Sequence, residues 1–353
     1  MAVNDDLLDL NVRHQVELQR LSTGIVRKLI KLLNRVDPDL LAQIRKRGDT
    51  SGKFTTRRLE RLLEEIREIN RVAYATLEKT IRGDLQDLAI YEAQFQARLI
   101  QRSVPVVLDL VTPAREQLVA AVMSRPFQGR LLKEWVSEME AGRYGRLRDA
   151  IRIGFVEGET VDQLVRRIAG TKANQYQDGI LDISRRSAEA MARTAINHTS
   201  TFARQMLYEE NDDLVKAVKW VSTLDSRTTP VCRARDGMVF PIDKGPRPPA
   251  HIRCRSTIVP VLKSWREMGI DMDELDAGTR ASMNGEVPGD LTYNAWLKRQ
   301  PAGFQDEVLG PTRGALFRRG GISMDRFVDR SGRQYTLDEL KRRESGAFAR
   351  AWV

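Results

Sequence analysis

Both cysteines of this 353-residue chain, Cys232 and Cys254, lie with His251, one of three histidines, in the single stretch Trp220 to Val261. That stretch is rich in Pro, Gly, Asp and Arg and carries short β-prone runs, whereas most of the chain before it has helical periodicity. The fold must therefore be mixed. A long helical part has to accommodate a small, turn-rich β part in which the scarce residues gather.

The helical part is read from its apolar stripes. Leu18, Leu21, Ile25, Leu29 and Leu32 recur at three- and four-residue steps within residues 6–33, and Asp37-Pro38 is expected to stop that helix. A second stripe, Leu59, Leu62, Ile66, Ile69, Ala73, Leu77 and Ile81, runs close to heptad spacing, with a break expected at Gly83-Asp84. A third helix carries Leu85, Leu88, Phe95 and Leu99, and Thr112-Pro113 reads as a further helix start. Leu131 to Met139 make another helical face, expected to end at Gly142, with separate helices at 144–156 and 160–169. The last of these has Thr160 as its cap and Gly170 as its stop. A long helix from about Ile183 to Tyr208 places His198 on its apolar side, where a buried histidine is expected in preference to a ligand.

From Lys216 the pattern changes. Residues 217–221, 238–240 and 256–262 read as strands of a small antiparallel sheet, with Pro260 suited to an edge. Beyond it, Pro and Gly from Gly285 to Gly321 predict irregular structure, and Thr336 and Glu339 form a capping box for a last basic helix. The fold class expected is α+β, predominantly α-helical: a long N-terminal helical region, a small antiparallel β module with a Cys/His knot, and an irregular basic C-terminal region. Hydrophobic residues at 41% are enough for real cores.

The formal net charge of +10 rests on 58 Lys and Arg against 48 Asp and Glu, so most charge is interspersed. From Arg313 onward there are ten Lys and Arg against five Asp and Glu. Arg318, Arg319, Lys341, Arg342 and Arg343 are the candidates there for contact with nucleic-acid phosphates. No apolar run approaches the ~20 residues of a membrane span, and the first residues lack the order of a signal peptide, so synthesis in the cytoplasm is expected.

Cys232, His251 and Cys254 are spaced C-x18-H-x2-C, and a His-x-x-Cys half-site suits tetrahedral zinc. Only three such ligands exist, so a fourth would have to be Asp225, Asp236, Asp243 or water. Two readings stay open: a structural zinc, or a metal-free knot of the same three side chains. An open zinc position would allow hydrolytic chemistry centred on His251, a metal-dependent nuclease being the rival. No nucleotide-binding or Ser-His-Asp pattern accompanies it. The expectation is a binding protein and not an enzyme.

Trp220, Thr223-Leu-Asp225-Ser-Arg227, Pro230-Val-Cys232, Asp236-Gly237, Val239-Phe240-Pro241 and Pro248-Pro249-x-His251-x-x-Cys254-Arg255 resemble the signature of the phage Mu F-like minor head proteins, also called the SPP1 head morphogenesis family. The helix before them, with Ala192-Arg193-Thr194 and Asn197, is similar to the one that leads into that domain, so the resemblance runs from Ile183 to Leu262. Where the family continues Cys-Arg-Cys, this chain has Cys254-Arg255-Ser256, which removes a candidate fourth ligand. Tyr293 to Gln300, Leu309 to Arg313, Leu316-Phe317-Arg318 and Phe327-Val328-Asp329 are similar to the C-terminal region of such proteins.

The resemblance implies a virion protein of the capsid interior near the portal, made in the host cytoplasm. It implies the portal protein as partner, with scaffold or major capsid protein and packaged double-stranded DNA as further ones, and no membrane. An effector delivered with the phage DNA is a second rival. The domains expected are 1–182, a helical docking region; 183–262, the Mu F-like domain; and 263–353, a C-terminal extension.

Overall fold

The computed structural model describes residues 3–47, 56–104, 106–269, 271 and 278–352. Six helices come first: α1 (Val3–Arg47), α2 (Thr56–Ser103), α3 (Arg115–Ser124), α4 (Leu132–Glu157), α5 (Val161–Ala169) and α6 (Ile180–Glu209). Strand β1 (Val215–Val221), the short helix α7 (Pro230–Arg235), β2 (Val239–Pro241) and β3 (Thr257–Leu262) follow. A hairpin of β4 (Thr279–Ser282) and β5 (Gly285–Pro288) then leads to α8 (Tyr293–Lys298), α9 (Ala302–Leu309), α10 (Pro311–Arg318), α11 (Leu337–Arg343) and α12 (Ser345–Ala351). The class is the expected one, helix-dominated with a small antiparallel β module.

The chain divides into two compact units, one within residues 19–90 and 115–199, the other within 1–18, 91–114 and 200–353. In the all-helical first unit, Leu40 and Ile44 of α1, Leu62 and Ile66 of α2, Leu147 and Ile151 of α4, Leu164 and Ile168 of α5, and Leu181 of α6 close one apolar cluster. Three expected helix stops are absent here. α1 continues through Pro38, because the carboxylate of Asp37 is gripped by Arg143 and Arg185, at 2.6 Å each, and the apolar stripe resumes at Leu40. Burying that next turn offsets the roughly 3 kcal/mol that an interior proline costs.

α2 likewise runs past Gly83, where an isolated glycine costs only about 1 kcal/mol and buried Leu85 and Leu88 continue the stripe. Gly142 does not end α4 either. The stop is Gly158, whose φ of 67° lets it cap the helix with its N–H on the carbonyls of Gly154 and Phe155. Thr160 and Gly170 cap α5 as expected, Thr160 in a reciprocal box with Gln163. His198 is half-buried against Phe127, and desolvation, helped by Arg125, holds its pKa at about 4, so it is neutral at physiological pH.

The second unit holds a three-stranded antiparallel sheet in the order β2-β1-β3. Val218 pairs with Phe240 on one side and Pro260 on the other. β3 is an edge, where the missing N–H of Pro260 costs no ladder bond. Val215, Val218, Ile258, Val259 and Leu262 pack on Leu7, Leu8, Leu99, Ile100, Leu207 and Tyr208. Residues 285–321, expected to be irregular, contain β5 and the short helices α8 to α10, and the basic helix α11 opens at Thr336 as expected; together they pack around Tyr293, Trp296, Leu316, Phe317, Phe327 and Leu340. Six- to eight-residue helices broken by Pro and Gly carry too little periodicity to be read from the sequence.

Beneath this sheet lies a buried polar network. Glu92 of α2 is fully buried and accepts from Arg204 Nε at 2.6 Å, from Gln96 at 2.9 Å and from His14 Nε2 at 2.7 Å. Arg204 continues to the Thr257 hydroxyl and to the Ile258 carbonyl, Tyr208 donates to Gln96, and His14 stacks on Phe95 at 3.7 Å. Burial alone would raise the Glu92 pKa, but Arg204 and the hydrogen bonds outweigh it and hold the carboxyl at about 2.

Candidate metal centre

Thr229 stands at the N-cap position of α7 and Pro230 takes its first position, which needs no donor. This places Cys232 in the first turn. The Thr229 hydroxyl does not cap its own helix; it lies 2.8 Å from His251 Nε2. His251 arrives on a turn closed by the Cys254 N–H on the His251 carbonyl, with Arg253 at φ 60°. Since a carbonyl can only accept, His251 Nδ1 carries the proton that it shares with the Ile252 oxygen at 2.8 Å. In the neutral ring the lone pair of Nε2 is thereby turned toward Thr229 and the Cys232 sulfur, 3.3 Å away.

The Sγ atoms of Cys232 and Cys254 are 3.7 Å apart, and the ligand atoms of all three residues lie within 4.8 Å of one another. With Zn–S near ~2.3 Å, a tetrahedral edge between two sulfurs measures ~3.8 Å, so the sulfurs already stand at metal-site spacing. Both cysteines are buried and His251 is half-buried. The hydrogen bond between the two sulfurs, with His251 nearby, lowers the Cys254 pKa, and the same bond and burial push Cys232 up. The Cys254 contact also raises the pKa of His251 against the effect of burial. Two soft sulfurs and an imidazole with its lone pair presented fit a zinc-type ion.

The expectation that the chain has no catalytic capacity is corrected by this geometry. Three side chains able to coordinate a metal ion stand together, and they would hold a zinc-type ion with one ligand position to spare, which could supply the activated water of metal-assisted hydrolysis.

The carboxylates considered as a fourth ligand are placed elsewhere. Asp225 receives both nitrogens of Arg255, at 2.5 and 2.8 Å, and the Thr228 hydroxyl, and although burial opposes it these partners lower its pKa. Asp236 accepts from the Ser222 N–H at 2.6 Å, the Tyr293 N–H at 2.7 Å and the guanidinium of buried Arg280 at 3.1 Å. Asp243 is exposed beside Lys244. Gly237, at φ 83°, makes the tight turn from Asp236 into β2, its N–H on the Trp220 carbonyl.

The scaffold of the centre was not read from the sequence. Trp220 donates to Ser222 Oγ at 2.9 Å, and Ser222 Oγ donates to the Cys232 carbonyl and lies 3.1 Å from Ser256 Oγ. Arg280 ties Asp236 to the Ser222 and Leu291 carbonyls. Serines and arginines are too common to stand out, and the pairing of 236 with 280 spans the β3–β4 connection.

Of the basic C-terminal candidates, Arg318 is paired with Asp306 at 2.7 Å and Arg343 lies over the Tyr335 ring, while Arg319, Lys341 and Arg342 are exposed. Among the described residues no helix is long and apolar enough to cross a membrane.

Residues 145–259 match the family described as Phage Mu protein F like protein, so the resemblance read from the signature holds and reaches upstream into α4 and α5. No curated protein and no solved structure matches the chain.

Proposed function

We propose that this chain, carrying a Phage Mu protein F like segment over residues 145–259, is a minor head protein of a tailed phage, bound to the portal inside the capsid. The observation that carries this reading is the coincidence of the matched segment with the sheet and the Cys/His centre. In this reading the helices of the first half dock on portal, scaffold or capsid protein, the centre holds a structural zinc through Cys232, His251 and Cys254, and Arg319, Lys341 and Arg342 contact packaged DNA. Co-expression with the portal protein of the same phage, followed by affinity capture, tests it: co-purification in a fixed ratio supports the reading, and its absence together with absence from assembled heads sinks it.

The three-ligand geometry favours a second reading, metal-assisted hydrolysis of a phosphodiester at His251 and the two cysteines. Nicking of supercoiled plasmid that needs added zinc and disappears in His251→Ala would establish it. Zinc bound without nicking assigns the centre to structure.

A further inference from the structure

The first half of the chain contains two helices of similar length whose charges are arranged differently. In α2, residues 56–90 carry seven Arg and Lys, and seven Asp and Glu, with pairs such as Arg71–Glu68 and Arg82–Glu78 along its own surface. In α1, residues 19–46 carry Arg20, Arg27, Lys28, Lys31, Arg35, Arg45 and Lys46 against only Asp37 and Asp39. Asp37 is buried under Arg143 and Arg185, so Asp39 is the one acid left on the surface of this segment.

All seven basic side chains are exposed. At 100° per residue, Arg20, Arg27, Lys31 and Arg45 fall within about 40° of arc and the other three within about a further 60°, opposite buried Leu29, Leu33 and Leu40. Among the described residues Lys28 has an ion pair, with Asp84 at 2.8 Å, and Arg20, Arg27, Lys31 and Arg35 have none.

A surface helix held for solubility would resemble α2. A protein-binding face would centre on apolar side chains and be poor in lysine. The α1 arc has neither character, and it offers no aromatic ring on which an unpaired base could stack. From Arg20 to Arg35 it extends about 22 Å, alongside which a duplex presents one phosphate charge per ~1.7 Å.

We propose that the outer face of α1, through Arg20, Arg27, Lys31 and Arg35, is a binding surface for the backbone of double-stranded DNA. The surface is distinct from the C-terminal residues named above, and it rests on charge placement and not on the family match. Recognition is by phosphate neutralisation and carries no base sequence preference.

The test is binding of the full chain to a labelled 30-base-pair duplex between 50 and 200 mM salt, for wild type and for Arg20→Gln/Arg27→Gln/Lys31→Gln/Arg35→Gln. Glutamine keeps helix propensity at these exposed positions, and circular dichroism checks that helicity is unchanged. Four lost phosphate contacts should flatten the log–log salt slope by about 3.6, so that wild type loses about 100-fold more affinity than the variant across that range. The double variant Arg27→Gln/Lys31→Gln should show about half the change in slope.

An unchanged slope in the fourfold variant overturns the proposal. If Arg319→Gln/Lys341→Gln/Arg342→Gln then loses binding instead, the C-terminal reading stands without the α1 surface. Wild type without duplex affinity at low salt removes both. Poly-glutamate competing as well as duplex at equal charge also overturns it, in favour of an acidic protein partner.

Discussion

Two polar centres lie in the sheet-containing unit, and they are built on opposite plans. The Cys/His centre is local: three scarce side chains within 23 positions, brought together by one helix turn and one tight turn. The Glu92 network joins His14, Glu92, Arg204 and Thr257, common residues from three helices and a strand. The first centre has its ligand atoms assembled and leaves a position over. In the second the carboxylate is enclosed by three donors, while His14 Nδ1 and Arg204 Nη2 at its margin have no hydrogen-bond partner among the described residues. A cluster of metal-ligating atoms and a network that joins helices to a sheet therefore differ in whether the central group, a metal position in one and a carboxylate in the other, is supplied by the chain itself.

The largest effect expected to break this contrast comes from the network. Glu92→Leu leaves Arg204 buried without a counter-charge and should cost about 3 to 5 kcal/mol in urea unfolding, with most of it recovered in Glu92→Leu/Arg204→Met. Loss confined to the single variant locates the cost in the uncompensated buried charge; equal loss in both would mean that the ion pair itself supplies stability. The same group sets an acid limit. The folded pKa of Glu92, about 2, is depressed below its ordinary 4.5, so its contribution is fully present above pH 4.5 and is lost as pH falls through about 2. Over that window about 3 kcal/mol should disappear from wild type and not from the double variant, as read by unfolding at stepped pH.

The metal centre should respond to a different variable. Zinc at 100 times its Kd should stabilise the chain by about 2.7 kcal/mol, an increment absent after chelation and in Cys232→Ser, while the acid profile stays as in wild type. Elemental analysis should find one zinc per chain, and none in the variant. The smallest effect sharpens the contrast from the other side. Ser256 already hydrogen-bonds the Cys232 thiol, so Ser256→Cys offers a third sulfur and should tighten zinc about tenfold, worth about 1.4 kcal/mol, by competition with a colorimetric chelator. Unchanged affinity would show that the fourth position opens away from residue 256.

What could be read in the sequence follows the same division. Scarcity and spacing pointed to Cys232, His251 and Cys254, and long apolar stripes to α1, α2 and α6. The Thr160 and Thr336 caps could be read because each box lies within four residues. Helix stops were misread at Pro38, Gly83 and Gly142, where long-range burial overrides a local breaker. Glu92, Arg204 and Arg280 carried no signal, because a buried Arg has the same letter as a solvated one and its partner lies far along the chain.

Arg280 has a consequence for how this module can be recombined. Asp236 and the Ser222 carbonyl, which hold the loop around Cys232, spend their hydrogen-bonding capacity on a guanidinium that lies beyond β3. A crossover that kept everything through Leu262 and grafted on a foreign C-terminal segment would inherit a buried carboxylate stripped of its counter-charge. The smallest portable piece therefore ends after Tyr293, and an exchange of partners at the C-terminal end must carry the β4–β5 hairpin along with it.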